Sequence, residues 1–307
     1  MKHFLINIVQ GIAIGIANII PGLSGATLAL IMGIYEKIID ILTKFDYDLI
    51  LLMKKFEIRK ITQHISLNFL LAITLGIIIS FIAFSRILDT LFTHFEIQTW
   101  AYFFGIIAAS IFYIAKQVDK FGIKEVLFFM TGALISVSFT FMEPATENTN
   151  LIYVVICGIV GIVGMLIPGL SGSYLLVLLG NYKLILVDSI KHITDPSLIY
   201  IENYFYLKVF ILNLVGHIIG ILLFSRLIKW LIKSFKNITF STLSGFIFGS
   251  LIYIWPWQNT DIEHATINAC SFPALTSASD IYAIIIMLMG AGTIIVMEQI
   301  ATRYKDV

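Results

Sequence analysis

Long apolar stretches alternate with short polar segments along this chain. Six of these stretches approach or reach the roughly 20 residues that an α-helix needs to cross a bilayer. They lie near residues 67–88, 98–115, 124–142, 206–228, 240–255 and 280–300. Two further apolar runs, 5–42 and 151–187, are each broken near the middle by a Pro-Gly pair. The pattern predicts an all-α integral membrane protein with six spanning helices and two interrupted helical segments.

The two broken runs carry the same hexapeptide. Residues 20–25 and 167–172 both read Ile-Pro-Gly-Leu-Ser-Gly, and further identities follow at offsets of 147 and then 140. The offset changes within a polar loop, where an insertion costs little. The matched pairs include Gly11 with Gly158, Tyr35 with Tyr182, Gly76 with Gly216, Arg86 with Arg226, Gly105 with Gly245, Ser110 with Ser250 and Tyr113 with Tyr253. This collinear set predicts two repeats, 1–145 and 146–307, each with one broken run and three helices.

Composition supports the membrane assignment and narrows the class of function. Hydrophobic residues make up 59% of the chain and charged residues 13%, whereas soluble domains carry about 25% charged residues. The formal net charge of +1 gives no support for a nucleic-acid partner. Two cysteines are too few for a disulfide framework. The motif also lacks the lysine of a Walker loop, so we expect neither ATP nor another cofactor.

The placement of lysine and arginine predicts how the repeats are oriented, because cytoplasmic loops are enriched in these residues. If each broken run enters and returns as a re-entrant hairpin, each repeat crosses three times and the second repeat is inverted. The cytoplasmic side then holds 16 of the 20 Lys and Arg residues. If the broken runs cross instead, the best split is 12 against 8. We therefore expect two inverted-topology repeats, each a re-entrant helical hairpin plus three transmembrane helices, with both termini cytoplasmic.

The repeated motif is the strongest candidate for a substrate site. Proline ends the incoming arm and glycine permits a tight reversal, while Ser24 or Thr27 is placed to cap the outgoing helix. Helix N-termini bind anions such as phosphate. Plain hairpin tips also use such turns, but two copies at membrane depth favour a shared cavity. The predicted substrate-binding residues of the motifs are Ser24, Gly25, Thr27, Ser171, Gly172 and Ser173.

Three charged residues in apolar surroundings extend the candidate set. Arg86 and Arg226 occupy matching positions near helix ends, and a guanidinium group binds phosphate through two parallel hydrogen bonds. The alternative is that both side chains reach the headgroup region. Glu36 follows Tyr35 and is matched by Lys183 in the other repeat, so any role in carrying a proton or pairing with a basic group is asymmetric.

These residues resemble a known family. The segment Asn18-Ile19-Ile20-Pro21-Gly22-Leu23-Ser24-Gly25-Ala26-Thr27, the following Gly33-Ile34-Tyr35-Glu36 and the second copy at 168–173 are similar to the bacterial polyprenyl-phosphate transporter family. The resemblance covers essentially the whole chain. It implies a multi-pass translocase that returns undecaprenyl phosphate to the inner leaflet of the cytoplasmic membrane. We expect transport by alternating access around a phosphate site near the membrane midplane. Its partners are then the lipid and the bilayer; coupling to a proton or a sodium ion stays open.

Two other functions fit parts of the pattern. Gly22-Leu23-Ser24-Gly25 and its second copy match the Gly-x-Ser-Gly of rhomboid-like intramembrane serine proteases, which need a histidine beside the serine. His217 is the histidine deepest in an apolar run, four residues from Asn213. A transporter of another anion or lipid is the second alternative, because helix termini and hydroxyl groups bind many anions.

Overall fold

The computed structural model describes residues 2–19, 24–194, 203–261, 266–274 and 277–305. In the first half the helices are α1 (Lys2–Ile19), α2 (Gly25–Ile31), α3 (Tyr35–Thr43), α4 (Tyr47–Lys54), α5 (Ile58–His64), α6 (Leu67–His94), α7 (Glu96–Ala115) and α8 (Ile123–Thr140). In the second half they are α9 (Leu151–Leu166), α10 (Gly172–Leu178), a π-helical turn (Lys183–Asp188), α11 (Ser189–Thr194), α12 (Asn203–Ser234), α13 (Lys236–Ser250) and α14 (Ala278–Lys305).

Within the described residues, five helices are long and apolar enough to cross a membrane. These spans are Leu67–Phe84, Glu96–Ala115, Ile123–Thr140, Tyr204–Ser234 and Ala278–Val296. The predicted span at 240–255 corresponds to α13, which has 15 residues and is shorter than a full crossing. Most of α13 is buried by other helices, including Ser241 and Ser244. Because protein rather than lipid surrounds it, α13 does not need the length or apolarity of the other five.

A short β-ribbon departs from the all-α prediction. Strands β1 (Gln258–Asp261) and β2 (Thr266–Cys270) pair antiparallel, with Gln258 opposite Cys270 and Asp261 opposite Thr266. The ribbon lies in the polar segment between α13 and α14, which contains β-branched Thr and Ile residues that favour extended structure. The described membrane spans are all helical.

Glycines bring four pairs of helices into close backbone contact. Any Cβ at Gly11 or Gly76 would collide with the opposite backbone between α1 and α6. A Cβ at Gly158 or Gly216 would collide in the same way between α9 and α12, and a Cβ at Gly105 would do so between α7 and α14. Gly245, the repeat partner of Gly105, packs α13 against α8. Small residues permit such close approach in membranes, so matched glycines perform matched packing roles in the two halves.

The helices of each close pair run parallel. In the α1–α6 pair, Gly11 lies against Ile73 whereas Gly15 lies against Ser80, so the contacts advance in the same direction along both chains. In the α8–α13 pair, Gly245 lies against Phe129 whereas Gly249 lies against Ser136. In the α9–α12 and α7–α14 pairs, the contacts likewise advance in the same direction along both helices. In two of these four pairs, one helix of the first half is joined to one of the second.

The two arms of the second broken run, α9 and α10, lie side by side, and their ends away from the Pro-Gly turn are adjacent. The Tyr153 hydroxyl near the start of α9 donates to the Leu179 carbonyl just after α10, at 2.9 Å. The backbone N–H of Ala145, which precedes α9, donates to the Leu178 carbonyl at 2.9 Å. The chain therefore returns after α10 to the level at which α9 began. A shared hydrophobic core joins Ile14 and Tyr35 of the first half to Leu166 and Ile247 of the second.

Candidate functional site

The two repeated motifs contact each other directly. The Ser24 hydroxyl donates to the Ile167 carbonyl at 3.3 Å, and the Gly169 backbone N–H donates to the Thr27 hydroxyl at 2.9 Å. Both hydroxyl-bearing residues are buried, with exposed fractions of 3% for Ser24 and 1% for Thr27. Each motif therefore supplies polar partners to the other.

Tyr35 ties the segment after the first motif to the second hairpin. Its side chain is 2% exposed, and its hydroxyl donates to the Leu166 carbonyl at 2.8 Å, in the last turn of α9. A buried tyrosine hydroxyl normally has such a partner, because an unpaired one would be costly. The repeat partner Tyr182 is 38% exposed. The two tyrosines therefore match in the sequence repeat but have different environments in the structure.

The motif serines occupy the predicted cap positions without acting as side-chain caps. Ser24 precedes α2 and Ser171 precedes α10, both with extended backbone, and neither side chain makes a capping hydrogen bond to a backbone N–H of its own helix. The Ser24 hydroxyl is engaged by the other motif, and Ser171 Oγ lies 2.8 Å from Ser173 Oγ. Thr27 likewise accepts from Gly169 rather than from α2. The prediction that Ser24 or Thr27 caps the outgoing helix is therefore wrong, because contacts between the halves take both hydroxyls.

The motif glycines are placed where the backbone is crowded. A Cβ on Gly25 would lie 2.5 Å from Asn18 Oδ1, and one on Gly172 would lie 2.2 Å from the Gly161 carbonyl oxygen. Gly169 adopts a φ of +86°, which side-chain-bearing residues rarely adopt. Packing and turn geometry thus explain these glycines, while their predicted contact with substrate stays a prediction. Ile20, Pro21, Gly22 and Leu23 of the first motif lie outside the described residues.

A small hydroxyl-lined cavity adjoins the second motif. It has a volume of about 20 Å³, which is room for a water molecule but not for a phosphate group. Its lining residues are Ser136, Phe139, Thr140, Gly169, Leu170, Ser171, Tyr174, Ser250 and Tyr253. Of these residues, only Ser171 is among those that the sequence predicts to bind substrate. The match of Ser250 and Tyr253 to Ser110 and Tyr113 is the signal that could have indicated the cavity.

Two of the three predicted charged residues, Arg226 and Glu36, lie away from the motifs. Arg226 is exposed on α12, and its guanidinium donates to the Leu222 carbonyl and, at 3.2 Å, to the Phe45 carbonyl. Glu36 lines a separate pocket of about 440 Å³ between α3 and α12. Arg86 belongs to α6, but its side chain lies outside the described part of the structure. Their predicted role in substrate binding stays a prediction.

An apolar groove lies between α6 and α7 and reaches α1 and α14. It has a volume of about 480 Å³, and most of the surface that it presents is apolar. The lining residues are Ile16, Phe84, Ile87, Leu88, Leu91, Phe95, Gln98, Thr99, Tyr102, Phe103 and Ile286. Such a groove suits a hydrocarbon chain and offers little to a small hydrated anion.

The histidine required by the protease alternative is engaged elsewhere. Nδ1 of His217 lies 2.9 Å from the carbonyl oxygen of Asn213 in the same helix. The hydroxyls of Ser24 and Ser171 bond to Ile167 and Ser173 instead. Within the described residues, the structure therefore offers no serine–histidine pair that would support the protease alternative.

Comparisons with known proteins agree on one class. A family model described as undecaprenyl phosphate translocase-like matches residues 14–270. A polyprenyl-phosphate transporter of Vibrio cholerae is 27% identical, and the match covers 98% of each chain. A polyprenyl-phosphate transporter of Staphylococcus aureus is also 27% identical, over 84% of this chain and 88% of its own length. No solved structure matches this chain.

Proposed function

Because the chain belongs to the undecaprenyl phosphate translocase-like family, we propose that it returns undecaprenyl phosphate from the outer to the inner leaflet of the bacterial cytoplasmic membrane. The lipid carrier then becomes available again for cell-envelope synthesis. The name that both relatives bear, polyprenyl-phosphate transporter, supports this substrate. The observation that carries the proposal is the direct contact of the two repeated motifs beside a hydroxyl-lined cavity.

The physical task is to move a charged head group through hydrocarbon while the tail stays in lipid. A charge at the bilayer centre is costly, so the protein must replace the water that solvates the phosphate. The hydroxyls of Ser24, Thr27, Ser171 and Ser173, with the first backbone N–H groups of α10, are suitable donors. Helices α2 and α10 have seven residues each, so we assign the main role to these hydrogen-bond donors rather than to helix dipoles.

The contacts between helices support the inverted, re-entrant architecture. The seven residues between α7 and α8 suffice only for a reversal on one side of the membrane, so α8 runs opposite to α7. Because α13 runs parallel to α8, it runs opposite to α7, its repeat counterpart. The adjacent ends of α9 and α10 support a hairpin that returns. With the lysine and arginine distribution, this arrangement supports a topology in which both termini are cytoplasmic.

We propose that transport proceeds by alternating access, which the closed state of the site supports. A cavity of about 20 Å³ does not admit phosphate, so the motifs must separate before substrate binds. The Ser24–Ile167 and Thr27–Gly169 hydrogen bonds are the contacts that break, and the released donors then bind the phosphate. Net hydrogen-bond energies of about 1 kcal/mol each make such an exchange accessible. Coupling to a proton or sodium gradient stays a prediction, with Glu36 as the candidate carrier.

The apolar groove supports a lipid substrate over a soluble anion. A polyprenyl tail has to remain in contact with apolar surface while its head group crosses, and the groove between α6 and α7 offers such a surface. A soluble anion has no apolar part that would bind in this groove. We assign the tail to this groove and the phosphate to the motifs.

The test is transfer of undecaprenyl phosphate between leaflets of proteoliposomes that contain the purified protein, with and without proton and sodium gradients. Wild-type protein should accelerate transfer over empty vesicles. The Ser24→Ala/Ser171→Ala double variant should lose at least about tenfold in rate, since two phosphate ligands at about 1 kcal/mol each are removed. A second double variant, Arg86→Ala/Arg226→Ala, tests the contribution of the two arginines independently of the serines.

A matched control separates loss of the site from loss of the fold. Ser138 is exposed on α8, where its hydroxyl bonds only to the Ile135 carbonyl, so Ser138→Ala should leave transfer unchanged. Thermal unfolding in detergent verifies that every variant is folded. Absence of transfer by folded wild-type protein under all gradients would reject the lipid as substrate and favour a soluble anion.

A further inference from the structure

A charged pocket separates α3 from α12 on the side that the lysine and arginine distribution assigns to the cytoplasm. Its volume is about 440 Å³, far larger than the cavity beside the motifs. Three lysines and two carboxylates line it: Lys37, Lys229, Lys233, Glu36 and Asp40. Lys44 lies at its edge, through its ion pair with Asp40.

One carboxylate holds two of these ammonium groups. Asp40 forms ion pairs with Lys229 and, at 3.3 Å, with Lys44. Lys229 Nζ also lies 3.2 Å from the Thr43 hydroxyl. Exposed ion pairs of this kind contribute little to stability. They are therefore easily exchanged for a ligand that carries more negative charge than one carboxylate.

The remaining lysines have no carboxylate partner in the described part of the chain. Lys37 Nζ lies 4.1 Å from the centre of the Phe69 ring, and Lys233 is exposed. With Lys44 included, lysines outnumber carboxylates around the pocket. A phosphate monoester matches this excess, because lysine ammonium groups bind phosphate as compact point charges.

We propose that this pocket, which we call the lysine vestibule, is a second phosphate-binding site, where the head group of the transported lipid is held at the cytoplasmic face. The identity of the ligand rests on the proposed function, whereas the geometry of the pocket does not depend on it. The start of α3 links the two sites: Tyr35 bonds to the Leu166 carbonyl of the second hairpin, and the next two residues line the vestibule. A phosphate leaving the motifs thus enters a region of positive charge, where it displaces Asp40 from Lys229.

Chemical footprinting of lysines tests the vestibule independently of transport. The full-length protein in phosphatidylcholine nanodiscs is treated with an amine-acylating reagent, and labelling of each lysine is measured by mass spectrometry. Undecaprenyl phosphate at twice its Kd should lower labelling of Lys37 and Lys233 about threefold, since a third of the sites stay free. Lys60 and Lys183, whose partners are Glu57 and Asp188, should not change.

Further arms identify the source of the phosphate. Inorganic phosphate at the same concentration should protect less, because the tail also anchors the lipid; equal protection would overturn the lipid as ligand and make the vestibule a site for soluble phosphate. Phosphatidylglycerol carries a phosphodiester with one negative charge. Equal protection by that lipid would overturn the inference of a phosphate monoester site.

Variants distinguish this inference from the proposed function. The folded Ser24→Ala/Ser171→Ala variant should lose transport and keep the protection of Lys37 and Lys233. Loss of protection in that variant would overturn a separate site. If wild-type protein showed protection but no transport, the vestibule would stand and the proposed function would fail. Transport without any protection would reject the vestibule alone.

Substitution of Asp40 gives the sharpest result. Asp40→Asn should increase the affinity for the phosphate lipid severalfold, because Lys229 and Lys44 lose their competing carboxylate. Lys229→Gln should decrease it, while Lys60→Gln serves as a matched control outside the vestibule. Unchanged affinity in both Asp40→Asn and Lys229→Gln, in protein whose thermal unfolding matches the wild type, would reject the inference.

Discussion

Thr27 shows at the scale of one residue how the two halves depend on each other. Its hydroxyl is almost fully buried and accepts a hydrogen bond from the Gly169 backbone N–H. The sequence presents Thr27 as a cap for the helix that it opens. The structure assigns its hydroxyl to the other repeat, because the buried N–H of Gly169 has to be satisfied.

Removal of this hydroxyl should destabilise the contact between the motifs. Thr27→Val keeps the shape and leaves the Gly169 N–H unpaired, so we expect a loss of about 1–3 kcal/mol in unfolding free energy. The measurement is thermal or denaturant unfolding of the purified protein in detergent. Thr27→Ser keeps the hydroxyl and should retain most of the stability. Equal losses in both variants would show that the methyl group, and not the hydrogen bond, matters.

Asp46 has a separate, local role at the start of α4. Its side chain accepts from the Leu49 backbone N–H at 3.0 Å and lies 3.2 Å from Nε2 of His64. Burial raises the pKa of Asp46, but the hydrogen bonds and the electrostatic attraction to His64 together hold the pKa below its usual value. The charged carboxylate therefore stabilises the folded state.

Loss of this cap should depend on pH in a defined direction. A lowered folded-state pKa means that the stabilisation is present above the unfolded pKa and is lost as pH falls through the folded pKa. Asp46→Ala should cost about 1 kcal/mol at neutral pH and progressively less in acid. Asp46→Asn keeps the cap without the charge, so its stability should vary less with pH than that of the wild type. A difference between wild type and Asp46→Ala that grew in acid would contradict this assignment.

At the scale of whole elements, the close pairing of α9 with α12 depends on glycine. A Cβ on Gly158 would lie 2.4 Å from the Asn213 carbonyl oxygen and 3.0 Å from the Gly216 Cα. A larger side chain must push the helices apart, with the loss of many van der Waals contacts. The hairpin that carries the second motif would then shift.

Gly158→Leu should therefore lower stability by about 1–3 kcal/mol or more, as overpacked cores do, and should reduce transport. Unfolding in detergent and transfer in proteoliposomes measure the two effects. Gly292 in α14 offers a matched control, since a Cβ there meets nothing within 4 Å. Gly292→Leu should be tolerated. If both variants behaved alike, close packing would not explain Gly158.

At the scale of the whole molecule, the inverted arrangement predicts which loops face the cytoplasm. Glu147 is exposed in the segment between α8 and α9, whereas Lys120 is exposed between α7 and α8. In protein whose native cysteines are replaced, a cysteine at position 147 should react with a membrane-impermeant maleimide from outside intact cells. A cysteine at position 120 should react only after the membrane is opened. The reverse result would invert the proposed topology.

The membrane class, the repeat and the family can all be inferred from the amino-acid sequence alone. Each depends on a one-dimensional property: the length of apolar runs, the recurrence of a hexapeptide, and a match that covers most of the chain. The positions of the long helices followed for the same reason, since lipid requires about 20 apolar residues in a row. Because α13 is surrounded by protein, its shorter length could not be inferred from that requirement.

Which side chains contact each other depends on how the helices pack in three dimensions. The Thr27–Gly169 and Tyr35–Leu166 hydrogen bonds join residues more than a hundred positions apart, and no local pattern encodes such pairing. The same holds for the lysine vestibule, whose cationic groups come from α3 and α12 and appear in the sequence as ordinary cytoplasmic lysines. The hydrophobic pattern can be read directly along the sequence, whereas hydrogen bonds and ion pairs depend on distances that exist only after the helices have packed.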